Sequence, residues 1–105
     1  MFLQKPITLS PQRLQISTEM GIPQESFVIL FFGRLSPGKA PFDLLKAFER
    51  VEQSGKYLIF VGDGKLKADL QKSVVDRNIK SVHFVGFQNR SEVSKFYAIA
   101  NTLVL

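Results

Sequence analysis

The sequence predicts an α/β domain with a parallel, Rossmann-like sheet and flanking helices. Two observations carry the prediction. F-V-I-L-F-F (27–32) and Y-L-I-F-V (57–61) are continuous apolar runs, and continuity rather than alternation marks a strand buried on both faces. Each run leads through a short loop into a stretch with apolar residues at helical spacing. Strand and helix therefore alternate, joined by connections that suit only right-handed crossovers.

Taken in order, residues 1–9 show little periodicity and read as an arm. Ser10-Pro11 is a helix start, a cap residue followed by proline at the first helical position. That helix should stop at Gly21, which tolerates the left-handed C-terminal conformation. After the first strand, Pro41 opens a helix with Phe42, Leu45, Phe48 and Val51 on one stripe and Lys46, Glu49 and Arg50 on the wet side. Gly55 closes this unit. The second strand ends at G-D-G, and a helix over 65–78 carries Leu66, Leu70 and Val74 on its stripe. On its exposed face Lys65 with Asp69, and Lys72 with Asp76, stand four apart. V-H-F-V (82–85) is a third strand, with His83 facing away from its neighbours. Ser91 caps a short helix with Val93, Phe96, Tyr97 and Ala100, where Phe96 and Tyr97 read as core. T-L-V-L (102–105) begins a fourth strand, and a chain ending there is expected to be a fragment of a longer protein. The division is residues 1–26 as linker and short helix, and 27–105 as a partial Rossmann-like domain.

The 105 residues are 45% hydrophobic and 22% charged, ordinary values for one small globular domain. With no cysteine and one histidine, disulfides, thiolate chemistry and the usual zinc or iron–sulfur sites are excluded. No signal-peptide core or membrane-spanning run is present, so a cytoplasmic location is expected. The net charge of +5 suits phosphate-bearing partners. The charges are interspersed, without a basic tract interleaved with aromatics, which speaks against nucleic acid.

Open α/β sheets bind ligands beyond the carboxyl ends of their strands, which directs attention to the loops 33–40, 62–64 and 86–90. Gly33 to Ala40, G-R-L-S-P-G-K-A, fits the phosphate-cradling pattern G-x-x-x-x-G-K-[ST] except at the last position. In support, Y-L-I-F-V-G-D resembles the strand whose aspartate helps hold magnesium in such hydrolases. Against it, Ala40 cannot ligate a metal, and Pro37 and Pro41 lack the N–H groups that form the cradle. An alternative keeps the anion and drops the cradle. Arg34 as a fork and Lys39 as a point charge could grip a diphosphate through their side chains, or both could be solvated loop charges.

From about Phe27 to Leu105 the chain resembles the C-terminal, nucleotide-sugar-binding half of a family 4 (group 1) glycosyltransferase of the two-domain GT-B type. The resemblance rests on F-V-I-L-F-F-G-R-L-S-P-G-K, D-L-L-K-A-F, L-I-F-V-G-D-G-K-L-K-A-D-L, V-H-F-V-G-F-Q and Y-A-I-A-N-T-L-V-L, in that order and spacing. It implies a retaining glycosyltransferase of hexosyltransferase type. Such an enzyme moves a sugar from a nucleotide-diphosphate donor to a saccharide, lipid or polymer acceptor, with no metal or other cofactor. It implies that Arg34 and Lys39 contact the donor diphosphate and steady the leaving group. Gly33, Gly62 and Gly64 would let the backbone pass close to the donor, although G-D-G also reads as a tight turn, with Asp63 serving that turn or the following helix. Phe87 and Gln88 would flank the nucleobase through backbone groups, or form an ordinary turn. The partners implied are the donor and an N-terminal acceptor domain of the same enzyme, with peripheral attachment of the parent to the inner membrane face.

Two departures stand out. The family usually has glycine where this chain has Ala40 before Pro41. The family's next block, P-S-x-x-E and a glutamate pair, lies past Leu105, so this chain alone is expected to be inactive. The competing readings are a non-catalytic Rossmann-like binding or scaffold module and, third, a degenerate P-loop nucleotide-binding domain.

Overall fold

The computed structural model describes residues 2–4, 11–23, 25–86 and 90–104, and the side chains of 2–4, 11–13, 39 and 90–92 fall outside that description. Five strands form one sheet: β1 (Phe2–Gln4), β2 (Phe27–Phe32), β3 (Lys56–Val61), β4 (Val82–Val85) and β5 (Thr102–Val104). Their spatial order is β1-β5-β2-β3-β4. The pairs β5–β2, β2–β3 and β3–β4 are parallel, with Ile29 opposite Leu58 and Ile59 opposite His83. Among the described residues the α-helices are α1 (Pro11–Met20), α2 (Pro41–Arg50), α3 (Lys67–Asp76) and α4 (Arg90–Ile99). Among the described residues, no helix is long and apolar enough to cross a membrane.

The sheet separates two apolar clusters, as period-2 alternation in each strand requires. Val28, Leu30, Ile59, Val61 and Leu103 meet Ile16 of α1 and Phe96 and Ile99 of α4 on one face. Ile29, Phe31, Leu58 and Phe60 meet Leu45 and Phe48 of α2 and Leu70 of α3 on the other. Because both faces are covered, β2 and all of β3 after Lys56 run without a charged residue. On the α2–α3 face three rings in register cross the strands: Phe31 and Phe60 are 5.4 Å apart, and Phe60 stacks on Phe84 at 5.2 Å. Such pairs contribute about 0.5–1.5 kcal/mol beyond their burial.

The expected elements appear with small shifts at their ends. Gly21 and Gly55 both take positive φ, 72° and 73°, and stop the chain where the reading placed breaks. Asn78, at φ 53°, ends α3 in the same way, with the Ile79 N–H donating back to the Val74 carbonyl at 3.0 Å. Several expectations need correction. Residues 1–9 are not simply an arm, since Phe2–Gln4 pairs antiparallel with β5, Phe2 opposite Val104, and the sheet is therefore mixed. The helix read as 65–78 begins at Lys67, which removes the Lys65–Asp69 spacing from it, whereas Lys72 and Asp76 do pair, at 2.6 Å. Val51 lies past α2 in extended backbone. Ser91 sits inside the first turn of α4 rather than capping it, and Ser10 lies outside the described residues. His83 is a strand side chain stacked on Tyr57 at 5.6 Å, as expected. Phe96 is core, but Tyr97 is exposed and touches the Phe32 ring at 6.3 Å.

Candidate functional site

The topology places a crevice at the carboxyl ends of the strands. From β2 the chain steps to β3 and β4 with α2 and α3 on one face. It then returns through α4, on the other face, to β5 on the far side of β2. The order reverses at β2, and the loop leaving β2 borders the reversal where open α/β sheets bind ligands. A cleft of about 780 Å³ opens there. One wall is Phe32, Gly33, Arg34, Ser36 and Pro37, and the other is the run from Val61 to Lys65.

Leu35 fixes the first wall. It is fully buried in the cluster of Phe31, Leu45 and Phe60, while its neighbours Arg34 and Ser36 line the cleft. Backbone bonds join the two walls. The Gly33 N–H donates to the Val61 carbonyl at 3.1 Å, the Leu35 N–H to the Asp63 carbonyl at 2.9 Å, and the Leu66 N–H to the Leu35 carbonyl at 3.1 Å. The glycines make this possible. A Cβ on Gly62 would overlap the Gly33 carbonyl, one on Gly64 would overlap the Leu35 carbonyl, and Gly62 also holds φ at 141°. The close approach that Gly62 and Gly64 demonstrably serve is thus to the neighbouring loop. Asp63 serves the turn, its Oδ1 accepting from the Gly64 N–H at 2.8 Å.

The structure brings Gly33, Arg34, Gly62 and Gly64 together around the cleft. Lys39 ends a short 3₁₀ turn, Pro37–Lys39, on the same loop, and its side chain lies outside the description. Phe87 and Gln88 lie outside the described residues. Lys65 lines the cleft as well. The sequence reading gave it no role at a site, although its place one residue past a glycine turn at a strand end was the available signal.

The loop geometry does not make a P-loop. A phosphate cradle needs successive free N–H groups, but those of Gly33, Leu35 and Ala40 are spent on the carbonyls of Val61, Asp63 and Pro37. Pro37 and Pro41 have none. The loop instead enters α2 through Ala40, which is left-handed at φ 50°, ψ 47°.

Comparison with known proteins agrees with this geometry. Residues 12–105 match the family described as Glycosyl transferases group 1. The chain belongs to that family. Alpha-monoglucosyldiacylglycerol synthase of Acholeplasma laidlawii is 29% identical over 98 residues, 90% of this chain and 25% of that protein. Lipopolysaccharide 1,2-N-acetylglucosaminetransferase of Salmonella typhimurium is 31% identical over 98 residues, 83% of this chain and 26% of that protein. The chain thus spans about a quarter of the length of these two relatives. Among solved structures it is similar to Anabaena HepE in complex with UDP-glucose, with a TM-score of 0.72 at 23% identity, covering 87% of this chain and 26% of that one. The Rossmann-like fold is that of GT-B glycosyltransferases.

Proposed function

We propose that this group 1 chain is the donor-binding part of a retaining glycosyltransferase of hexosyltransferase type. Its donor is a nucleotide-diphosphate sugar, and the full enzyme transfers the sugar to a saccharide, lipid or polymer acceptor held by an N-terminal domain of the same enzyme. The observation that carries the reading is the cleft beside the strand-order reversal, lined by Arg34 next to the buried Leu35. HepE, of the same fold, is seen with UDP-glucose.

In this reading the bond that breaks joins the anomeric carbon to a diphosphate oxygen, and the electron pair leaves with the nucleoside diphosphate. Charge grows on that oxygen as the bond lengthens, so fixed cations stabilise the transition state more than the ground state. Arg34 supplies a planar fork and Lys39 a point charge. No metal or other cofactor is assigned. Gly33, Gly62 and Gly64 let the backbone pass close to the donor, and Phe87 and Gln88 flank the nucleobase. The enzyme works in the cytoplasm, its parent attached peripherally to the inner membrane face.

Titration of UDP-, GDP- and ADP-sugars into the chain, followed by ligand-observed NMR, tests this. Saturable binding weakened by Arg34→Ala and by Lys39→Ala is expected. Binding unchanged in both variants overturns the clamp, and no binding to the unmodified chain favours a non-catalytic module.

A further inference from the structure

The cleft has a second basic wall. Lys65 follows the G-D-G turn and lines the same cavity as Arg34, from the β3 side. Its backbone is held from both directions. Gly64 lies against the Leu35 carbonyl, and the Leu66 N–H donates to that same carbonyl at 3.1 Å. Lys65 and Arg34 therefore sit on two loops whose separation is set by main-chain hydrogen bonds.

The charge of Lys65 is also uncommitted. The residue is exposed, lies ahead of the first residue of α3 and forms no ion pair among the described residues. Lys72, inside the helix, is paired with Asp76. Asp63 is the one carboxylate among the described lining residues, and it already accepts from the Gly64 N–H. Farther along the same edge, the Lys67 ammonium lies 4.0 Å from where a Cβ on Gly86 would stand, at the end of β4. The carboxyl edge of the sheet thus carries cations past β2, β3 and toward β4, beside Asp63 and the first-turn carboxylates Asp43 and Asp69.

We propose that Lys65 binds the phosphate oxygens of the nucleotide-diphosphate sugar from the β3 side of the cleft, opposite Arg34 on the β2 side. The inference rests on the donor reading above and adds a contact from the second loop. Two cations on opposite walls hold a diphosphate by both flanks, whereas cations on one loop leave it open on the other. Lys65 is solvent-exposed, so the gain is that of a screened charge-assisted contact.

The test is the dissociation constants of UDP and of uridine for the whole 105-residue chain and its Lys65→Gln and Lys65→Arg variants, with Lys72→Gln as a surface-charge control and unfolding midpoints as a fold control. For Lys65→Gln, UDP binding is expected to weaken about three- to tenfold, with uridine binding unchanged, the loss shrinking at high salt, and Lys65→Arg close to the unmodified chain. If Lys65→Gln binds UDP as the unmodified chain does, or weakens uridine equally, the Lys65 contact is overturned while the donor reading stands. If the unmodified chain binds UDP no better than uridine, the donor reading fails and the Lys65 contact fails with it.

Discussion

Asn101 and Val28 exchange two hydrogen bonds, the Asn101 N–H donating to the Val28 carbonyl at 2.8 Å and the Val28 N–H donating to the Asn101 Oδ1 at 2.8 Å. Asn101 is buried, one residue before β5, and its side chain stands in for a backbone carbonyl so that the ladder to β2 starts one rung early. Removing the amide strands a buried N–H inside the sheet, which costs about 1–3 kcal/mol. Asn101→Ala should lower the unfolding free energy by that amount in urea titration, with an unchanged m-value.

Lys56 should matter through a helix end. Its ammonium donates to the Phe48 and Val51 carbonyls, at 2.6 and 2.7 Å, and lies 4.5 Å from the Phe48 ring centroid. These carbonyls belong to the end of α2, where a cation also meets the negative end of the helix dipole. Lys56→Met keeps the stem and removes the charge, and should cost about 1–2 kcal/mol. Lys72→Met, which breaks only the exposed Lys72–Asp76 pair, should cost less than about 0.5 kcal/mol. Equal losses in thermal unfolding of the two variants would contradict the cap.

Both sites show what the sequence can and cannot carry. β2 and β3 were legible because burial on both faces leaves a continuous apolar run, and Gly21 and Gly55 were legible because few residues adopt their φ. β1 was not, because F-L-Q has no period of its own and becomes a strand only against β5, about a hundred residues later. Asn101 acts on a backbone group 73 residues away, a pairing that no local pattern encodes, whereas Lys56 reaches back to carbonyls eight and five residues earlier, a spacing that neither helix nor strand period marks. At the cleft, charge alone left Arg34 open as a solvated loop residue, and the resemblance singled it out; the structure puts it on the lining. The burial of Leu35, which anchors that loop, was missed, although a leucine between polar loop residues was a visible sign of an anchor. Tyr97 was misplaced by one position on a helix whose stripe is narrow, leaving Phe96 inside and Tyr97 outside.

Gly62 and Gly64 separate two reasons for a glycine in the cleft. An added Cβ at either would meet a carbonyl of the neighbouring loop, at Gly33 or at Leu35, so Gly62→Ala and Gly64→Ala should destabilise the chain without any donor present, by about 2 kcal/mol or more. Gly38, with nothing within 4 Å of its Cβ position and no left-handed φ, is the control: Gly38→Ala should be neutral or stabilising by up to about 1 kcal/mol. Guanidinium unfolding without nucleotide checks all three. Full stability of Gly62→Ala would return the glycine to a purely ligand-facing role.

Ala40 gives the opposite sign. It holds φ 50°, ψ 47° between the 3₁₀ turn and α2, where it serves as the residue before the helix. A left-handed conformation costs an L-residue with a Cβ about 1–2 kcal/mol. Glycine adopts it freely but loses more chain entropy on folding, about 0.4–1 kcal/mol. The balance predicts that Ala40→Gly stabilises the chain by about 0.5–1 kcal/mol, and that Ala40→Val, with a β-branched side chain in the same well, destabilises it. The turn is fixed from both sides, by the Ala40 N–H on the Pro37 carbonyl at 3.1 Å and by Pro41 opening the helix, so relaxation by changing φ is blocked. A higher unfolding midpoint for Ala40→Gly is therefore expected, and a lower one would show that the left-handed turn at Ala40 is not what the folded chain adopts.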